Sequence, residues 1–367
     1  MIALLAALLL ASPKPAQIDR LVETARVESR TPGVAVALIE DGKVAYVRAF
    51  GQAAADRPLH ETTVMYGASI TKAVFASYVM MLVDEGKLNL DAPVATLLPK
   101  PLPEYDKYKD LADDPRWGKV TPRMLLTHSS GFANFRFLEP DGKLHIHFEP
   151  GARYAYSGEG INLLQFAIET GLGLNVGAAL KRRIFDPLGM TRTSLTWRTD
   201  FAPDFADGMN EEGKWLPHDQ RGSVRAAGSM DTTVEDLSKW VAAVIGGRLL
   251  PAKAQAEMVR GGLALSGAHQ FPTFPEGPNA DRDRAHAMAA LGWIAFEVPQ
   301  GKGFYKGGHD DQTDNSLVCL ERGRRCILIL TNSGVGARMF PMLVKALLGE
   351  TGAPWGWEYN PVRPLKP

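Results

Sequence analysis

An excess of charge of either sign is missing from this sequence. Its 41 Lys and Arg balance 41 Asp and Glu over 367 residues. Without a basic block or an acidic tail, it lacks the electrostatic footprint of a nucleic-acid-binding chain. Low-complexity tracts and repeats of fixed period are absent too, which excludes solenoids and arrays. Long apolar runs are confined to Met1–Leu10 (MIALLAALLL), too short to span a membrane but suited to the core of an export signal, with small residues Ala11 and Ser12 after it. Residues 1–16 are therefore expected to direct the chain to the periplasm or outside the cell, with no membrane span once the signal is removed. Cysteine is scarce, only Cys319 and Cys326. Symmetric pairing about the turn 321–324 sets them opposite each other in a hairpin, where both a cross-strand disulfide and buried free thiols are open.

What is present is ordinary globular composition, 45% hydrophobic and 22% charged. The spacing of Ile18, Leu21, Val22 and Ala25 predicts a helix over 17–30. Alternating runs 33–40 and 43–50 flank Asp41-Gly42, a strong hairpin signal. The run after Ser69-Ile70-Thr71-Lys72 is apolar on every face, which predicts a helix buried all round, stopped at Asp84-Glu85-Gly86. From 88 to 227 helical patches alternate with Pro- and Gly-rich loops. A helix is expected over 234–245 after a cap at Thr232, then a surface loop over 267–284. Strands follow at 291–298, 303–308 and the cysteine hairpin, and a helix at 337–348. The predicted fold is α+β, an antiparallel sheet built from both ends of the chain (17–87 and 228–350) with N- and C-terminal helices, a mainly helical insertion (88–227), and a tail at 351–367.

Ser69 and Lys72 lie three residues apart, so on a helix the amine reaches the hydroxyl and can act as its base. A bare Ser-x-x-Lys also fits a helix-capping serine followed by a lysine stretched toward solvent. The wider pattern favours chemistry. Ala68-Ser69-Ile70-Thr71-Lys72, Leu126-Thr127-His128-Ser129-Ser130-Gly131, Glu149-Pro150-Gly151 to Tyr156-Ser157, Leu188-Gly189-Met190-Thr191, Ala227-Gly228-Ser229-Met230 and Leu330-Thr331-Asn332 together resemble the serine β-lactamase and penicillin-recognising family, in its class C branch with related esterases and D-aminopeptidases.

The resemblance implies that the β-lactamase/transpeptidase-like fold carries an acyl-enzyme mechanism. Ser69, Lys72 and Tyr156 would be catalytic, Tyr156 handling protons as a phenol whose anion nearby ammonium groups favour. The family's third motif fits Lys306-Gly307-Gly308 better than a register starting at His309, since its distance to Leu330-Thr331-Asn332 matches the class C spacing. Lys306 would then supply positive potential or steady Tyr156. Gly308 would let substrate approach, and the backbone N–H groups of Ser69 and His309 would hold the oxyanion. Two positions depart from the pattern: Gly158 stands where the family has asparagine, and Gly307 where it has threonine. Short esters are therefore expected to be better substrates than β-lactams, with D-amino-acid peptides and a covalently acylated sensor without turnover as the rivals. The partner is a small acyl or peptide-like substrate, no cofactor is implied, and the oligomeric state is left open. His309-Asp310-Asp311 and His145-Ile146-His147 lack the further ligands of a metal site and read as turns, and Asp310 and Asp311, if at the cleft mouth, would favour a substrate amine.

Overall fold

The computed structural model describes residues 14–359. The expected export segment lies outside them, except that Pro15 and Ala16 already belong to the first helix, α1 (Pro15–Ser29), where proline suits the opening turn. Next comes the hairpin of β1 (Gly33–Glu40) and β2 (Lys43–Ala54), four residues longer than the sequence pattern marks. Asp41 and Gly42 turn it with φ of 49° and 71°, the left-handed values that this dipeptide tolerates. The buried helix follows as α2 (Ile70–Asp84).

Beyond the insertion lie β3 (Ile294–Val298), β4 (Gly301–Asp310), β5 (Thr313–Leu320) and β6 (Arg325–Thr331). The expected strand 291–298 starts late because Gly292 bends the chain at φ 77°. Among the described residues the sheet has nine strands, with the longer ones ordered β2-β1-β6-β5-β4-β3 between short edge pieces. Strands from opposite ends of the chain pair at its centre, Val36 facing Ile329 across the β1–β6 ladder.

Every residue of β1 but the last is buried, so both of its faces are covered. Val34, Val36 and Leu38 pack with Ile18 and Val22 of α1 and with Phe340 and Leu343 of the C-terminal helix (Phe340–Leu347). Ala35, Ala37 and Ile39 on the opposite face pack with Val74 and Phe75 of α2 and with Trp240 of the helix Val234–Ile245. This is period-two alternation with both faces apolar, the sandwich of a sheet between two helical layers. Thr233, not Thr232, caps the helix Val234–Ile245, its hydroxyl accepting from Asp236 N at 3.0 Å. The C-terminal helix starts three residues late, after the tight turn Gly336–Met339 and with Pro341 in its first turn.

Within 88–227 the longest helix is Gly158–Leu172, and the patch at 90–98 yields only one tight turn, Val94–Leu97. Two expectations need correction. The segment 267–284 is not simply a surface loop, because Gln270 is 2% exposed and Phe271 reaches the cleft. Residues 351–359 are not a free tail, since Trp357 and Glu358 are buried. No single helix among the described residues is long and apolar enough to cross a membrane. Cys319 and Cys326 face each other across β5–β6 and are joined as a disulfide, which resolves the alternative of free thiols.

Candidate active site

The start of α2 is the focal point. Gly67 N donates to Met230 O at 2.8 Å, Ala68 turns the chain at φ 44°, and Thr71 Oγ1 locks that turn by donating to Ala68 O at 2.6 Å. Ser69 stands at the cap position without capping the helix. Its Oγ instead accepts hydrogen bonds from Lys72 Nζ at 2.9 Å and Tyr156 OH at 2.8 Å. The helix-capping reading of Ser69 thus fails, and Lys72, 1% exposed, does not stretch toward solvent. Ser69 N makes no hydrogen bond among the described residues, leaving a backbone donor at the nucleophile.

Tyr156 arrives on the extended chain just before α3 (Gly158–Leu172), whose cap Ser157 accepts from Gly160 N at 2.9 Å. His128 lies against the Tyr156 ring, centroids 4.3 Å apart, and its Nδ1 accepts from Ser157 N at 3.2 Å. Burial, with Lys72 and Lys306 adding to it, holds His128 neutral, so it acts as a flat support for the phenol. The sequence pattern contained His128 but gave it no role.

Lys306 enters from β4, its Nζ 5.3 Å from the Tyr156 ring centroid and donating to Gly307 O at 2.8 Å, while Lys72 Nζ lies 4.8 Å from the same ring. Two amines therefore flank one phenol. Burial pushes the Tyr156 pKa up, outweighing the Ser69 hydrogen bond that lowers it. Burial, then the Lys306 charge, drives Lys72 well below the ordinary lysine range. Lys306 is lowered by burial to about 8, with Glu358 pulling it back up. Burial thus favours the neutral phenol, whereas the expectation from the resemblance is an anion favoured by the amines. The group poised to take a proton is the Lys72 amine.

Gly308 lies against the start of α2. A Cβ there would come within 2.9 Å of Ser69 N and 3.0 Å of Ile70 N, so the strand lies flush on the helix start. The His309 ring packs edge-on to Phe271, centroids 5.5 Å apart, and burial holds it neutral with a pKa of about 4.

The cleft over Ser69 is a cavity of about 570 Å³. Both departures from the motif are filled by other side chains. At Gly158 a Cβ would lie 2.5 Å from the Phe135 ring, so an aromatic face occupies the room an asparagine would use. At Gly307 a Cβ would collide with the Glu358 carboxylate. Neither Phe135 nor Glu358 was foreseen. A glycine in a motif announces vacant space, but its occupant comes from a distant part of the chain. Asp310 lines the cleft and caps the turn to β5, accepting from Gln312 N at 3.0 Å, whereas Asp311 faces a neighbouring cavity. His145 and His147 are engaged singly, by Asp141 at 3.0 Å and Glu139 at 2.5 Å. Among the described residues no group of three or more His, Cys, Asp or Glu is placed to hold a metal.

Esterase EstB of Burkholderia gladioli is 30% identical over 227 residues, 53% of this chain and 56% of that protein. Lovastatin esterase of Penicillium rubens is 29% identical over 163 residues, 37% of this chain and 40% of that one. The matched stretch thus spans about half the length of these curated relatives or less. In fold, the penicillin-binding protein homologue of Pyrococcus abyssi matches with a TM-score of 0.71 at 23% identity, over 92% of this chain and 78% of that one. The D-alanine carboxypeptidase AmpC of Burkholderia cenocepacia matches with a TM-score of 0.71 at 20% identity, over 91% and 97%. The family model described as Beta-lactamase matches residues 18–347, nearly the whole described chain, and the protein therefore belongs to the beta-lactamase family.

Proposed function

We propose that the protein is a serine hydrolase working through an acyl-enzyme, with esters preferred over β-lactams. Ser69 Oγ attacks the carbonyl carbon while its proton passes to the neutral Lys72 amine, 2.9 Å away. Tyr156 OH, 2.8 Å from the same oxygen, relays that proton to the departing alkoxide. Ser69 N–H and the backbone N–H of His309 receive the oxyanion, and Lys306 adds positive potential. Water then attacks the acyl-enzyme by the reverse proton path.

The observation that carries the ester preference is Phe135 standing where Gly158 leaves room. A polar amide there would greet the side-chain amide of a β-lactam, whereas an aromatic face offers only apolar contact and leaves that amide unsatisfied. An ester with an apolar acyl group loses nothing. The names of the curated relatives, two esterases, point the same way. The Cys319–Cys326 disulfide supports an exported location.

The test compares kcat/KM for an aryl ester, a chromogenic cephalosporin and a D-alanine anilide on one preparation. We expect the ester to lead, and Ser69→Ala to lower its kcat by about 10⁴-fold. A cephalosporin value above the ester's would overturn the preference. Persistent acylation in time-resolved intact mass, without turnover, would move the reading to a covalent sensor.

A further inference from the structure

The C-terminal segment is clamped into the cleft. Trp357 is fully buried, its Nε1 donates to Gly267 O at 3.0 Å, and its carbonyl accepts from Gln270 N at 2.8 Å. Tyr359 OH donates to Asn315 O at 2.6 Å on β5, and Gly356 N donates to Asp281 Oδ2 at 2.8 Å. Between these anchors Glu358 points at Gly307, in space that any side chain at that position would fill. Its side chain is 1% exposed, yet neither carboxylate oxygen has a well-formed hydrogen bond among the described residues. Burial raises the Glu358 pKa, the Lys306 charge and then the nearby Tyr305 and Gln270 side chains pull it back toward the anion, and His309 Nε2 stands 3.9 Å from Oε1.

A buried carboxylate without donors is costly unless opposite charge surrounds it. Here that charge is Lys306, whose ammonium Glu358 stabilises. From this juxtaposition we infer that Glu358 is a specificity-determining residue whose carboxylate fills the electropositive corner beside Gly307, so that the cleft accepts acyl substrates bearing an uncharged or amine group there and excludes those bearing a carboxylate. This deepens the hydrolase reading and rests on Ser69 as its nucleophile. An incoming carboxylate finds the corner already neutralised and meets a like charge across a poorly solvated gap. An incoming ammonium is attracted across the same gap by the negative potential of that carboxylate. Glu358 also borders the neighbouring cavity, where the carboxylates of Glu211, Glu212 and Asp311 outnumber the guanidinium of Arg338.

The experiment uses three alkyl fluorophosphonates differing only in a terminal methyl, ammonium or carboxylate. In each, Ser69 Oγ bonds to phosphorus as the P–F bond breaks, and fluoride leaves with the serine proton taken up by base. Intact mass reads the labelling rate without any need for turnover. In the native protein the methyl and ammonium probes should label at least tenfold faster than the carboxylate probe, and equal rates would overturn the inference without recourse to a variant. In Glu358→Gln, of equal volume, the carboxylate-to-methyl rate ratio should rise at least fivefold. A ratio within twofold of the native one would defeat the assignment to Glu358. A second arm does not depend on Ser69 reactivity: Ser69→Ala protein titrated with phenethylamine and with phenylpropionate should prefer the amine, and Ser69→Ala/Glu358→Gln should lose that preference. Absent labelling with the amine preference intact would sink the hydrolase reading alone, while no amine preference in this arm would sink the inference.

Discussion

Lys72 and Tyr156 bond to the same oxygen, yet burial moves them oppositely, because each is pushed toward its uncharged form: the lysine falls and the tyrosine rises. A neutral Lys72 is a base, and a neutral Tyr156 is a proton donor. Lys306, with its pKa at about 8, remains charged below that pH and loses its charge above it. Activity therefore needs Lys72 deprotonated and Lys306 protonated, a window bounded below by the lowered Lys72 pKa. We expect kcat/KM for a neutral ester to climb with pH through Lys72 ionisation and to decline above about pH 8. Lys306→Met should lower the plateau and abolish the alkaline limb. A profile from pH 5 to 10 checks this, and an alkaline limb that survives in Lys306→Met would remove Lys306 from the proton balance.

At the scale of elements, the hairpin β1–β2 and helix α2 were legible because their signals are local. Alternation, Asp41-Gly42 and an all-apolar run each act within a few residues. The Ser69–Lys72 pair was legible for the same reason, one helical turn apart. Tyr156 and Lys306 could be placed only through the resemblance, because folding alone brings the loop before α3 to Ser69 Oγ and a strand 150 residues later to the Tyr156 ring. Phe135, His128 and Glu358 could not be assigned at all. Phe135 and Glu358 fill space left by glycines and His128 backs the Tyr156 ring, contacts made only by folding, and residues 351–359 carry no periodicity to suggest that they dock. The junction of β5 with the turn Gly336–Met339 offers a test of a different kind. Asp314 Oδ2 accepts from Ala337 N at 2.9 Å, and burial raises its pKa to about 7. With the folded pKa above the unfolded one, its contribution is most favourable in acid and is lost as pH rises through about 7. Asp314→Asn should therefore stabilise the protein increasingly with pH, the gain growing by about 2 kcal/mol between pH 5 and pH 8. Urea unfolding at the two pH values measures it, and a pH-independent difference would contradict the buried titration.

For the whole molecule, the disulfide and the central ladder bear on stability differently. The Cys319–Cys326 link closes a loop of only seven residues' separation, so its effect on the unfolded chain is modest. Native protein should show no free thiols before reduction, and the double change Cys319→Ala, Cys326→Ala should cost about 2 kcal/mol in urea unfolding. A loss above twice that would mean the sulfurs do more than cross-link. The pairing of β1 with β6 has a consequence for biosynthesis. Residues 33–40 leave the ribosome early, but their partners at 325–331 follow almost 300 residues later. At ordinary translation speeds that is a wait of roughly 15–60 s. Throughout it, the apolar edge of β1 is without its neighbour and is prone to unwanted strand addition. A nascent chain of this design needs a holdase, or passage through a translocon while still unfolded, until its last strand is delivered.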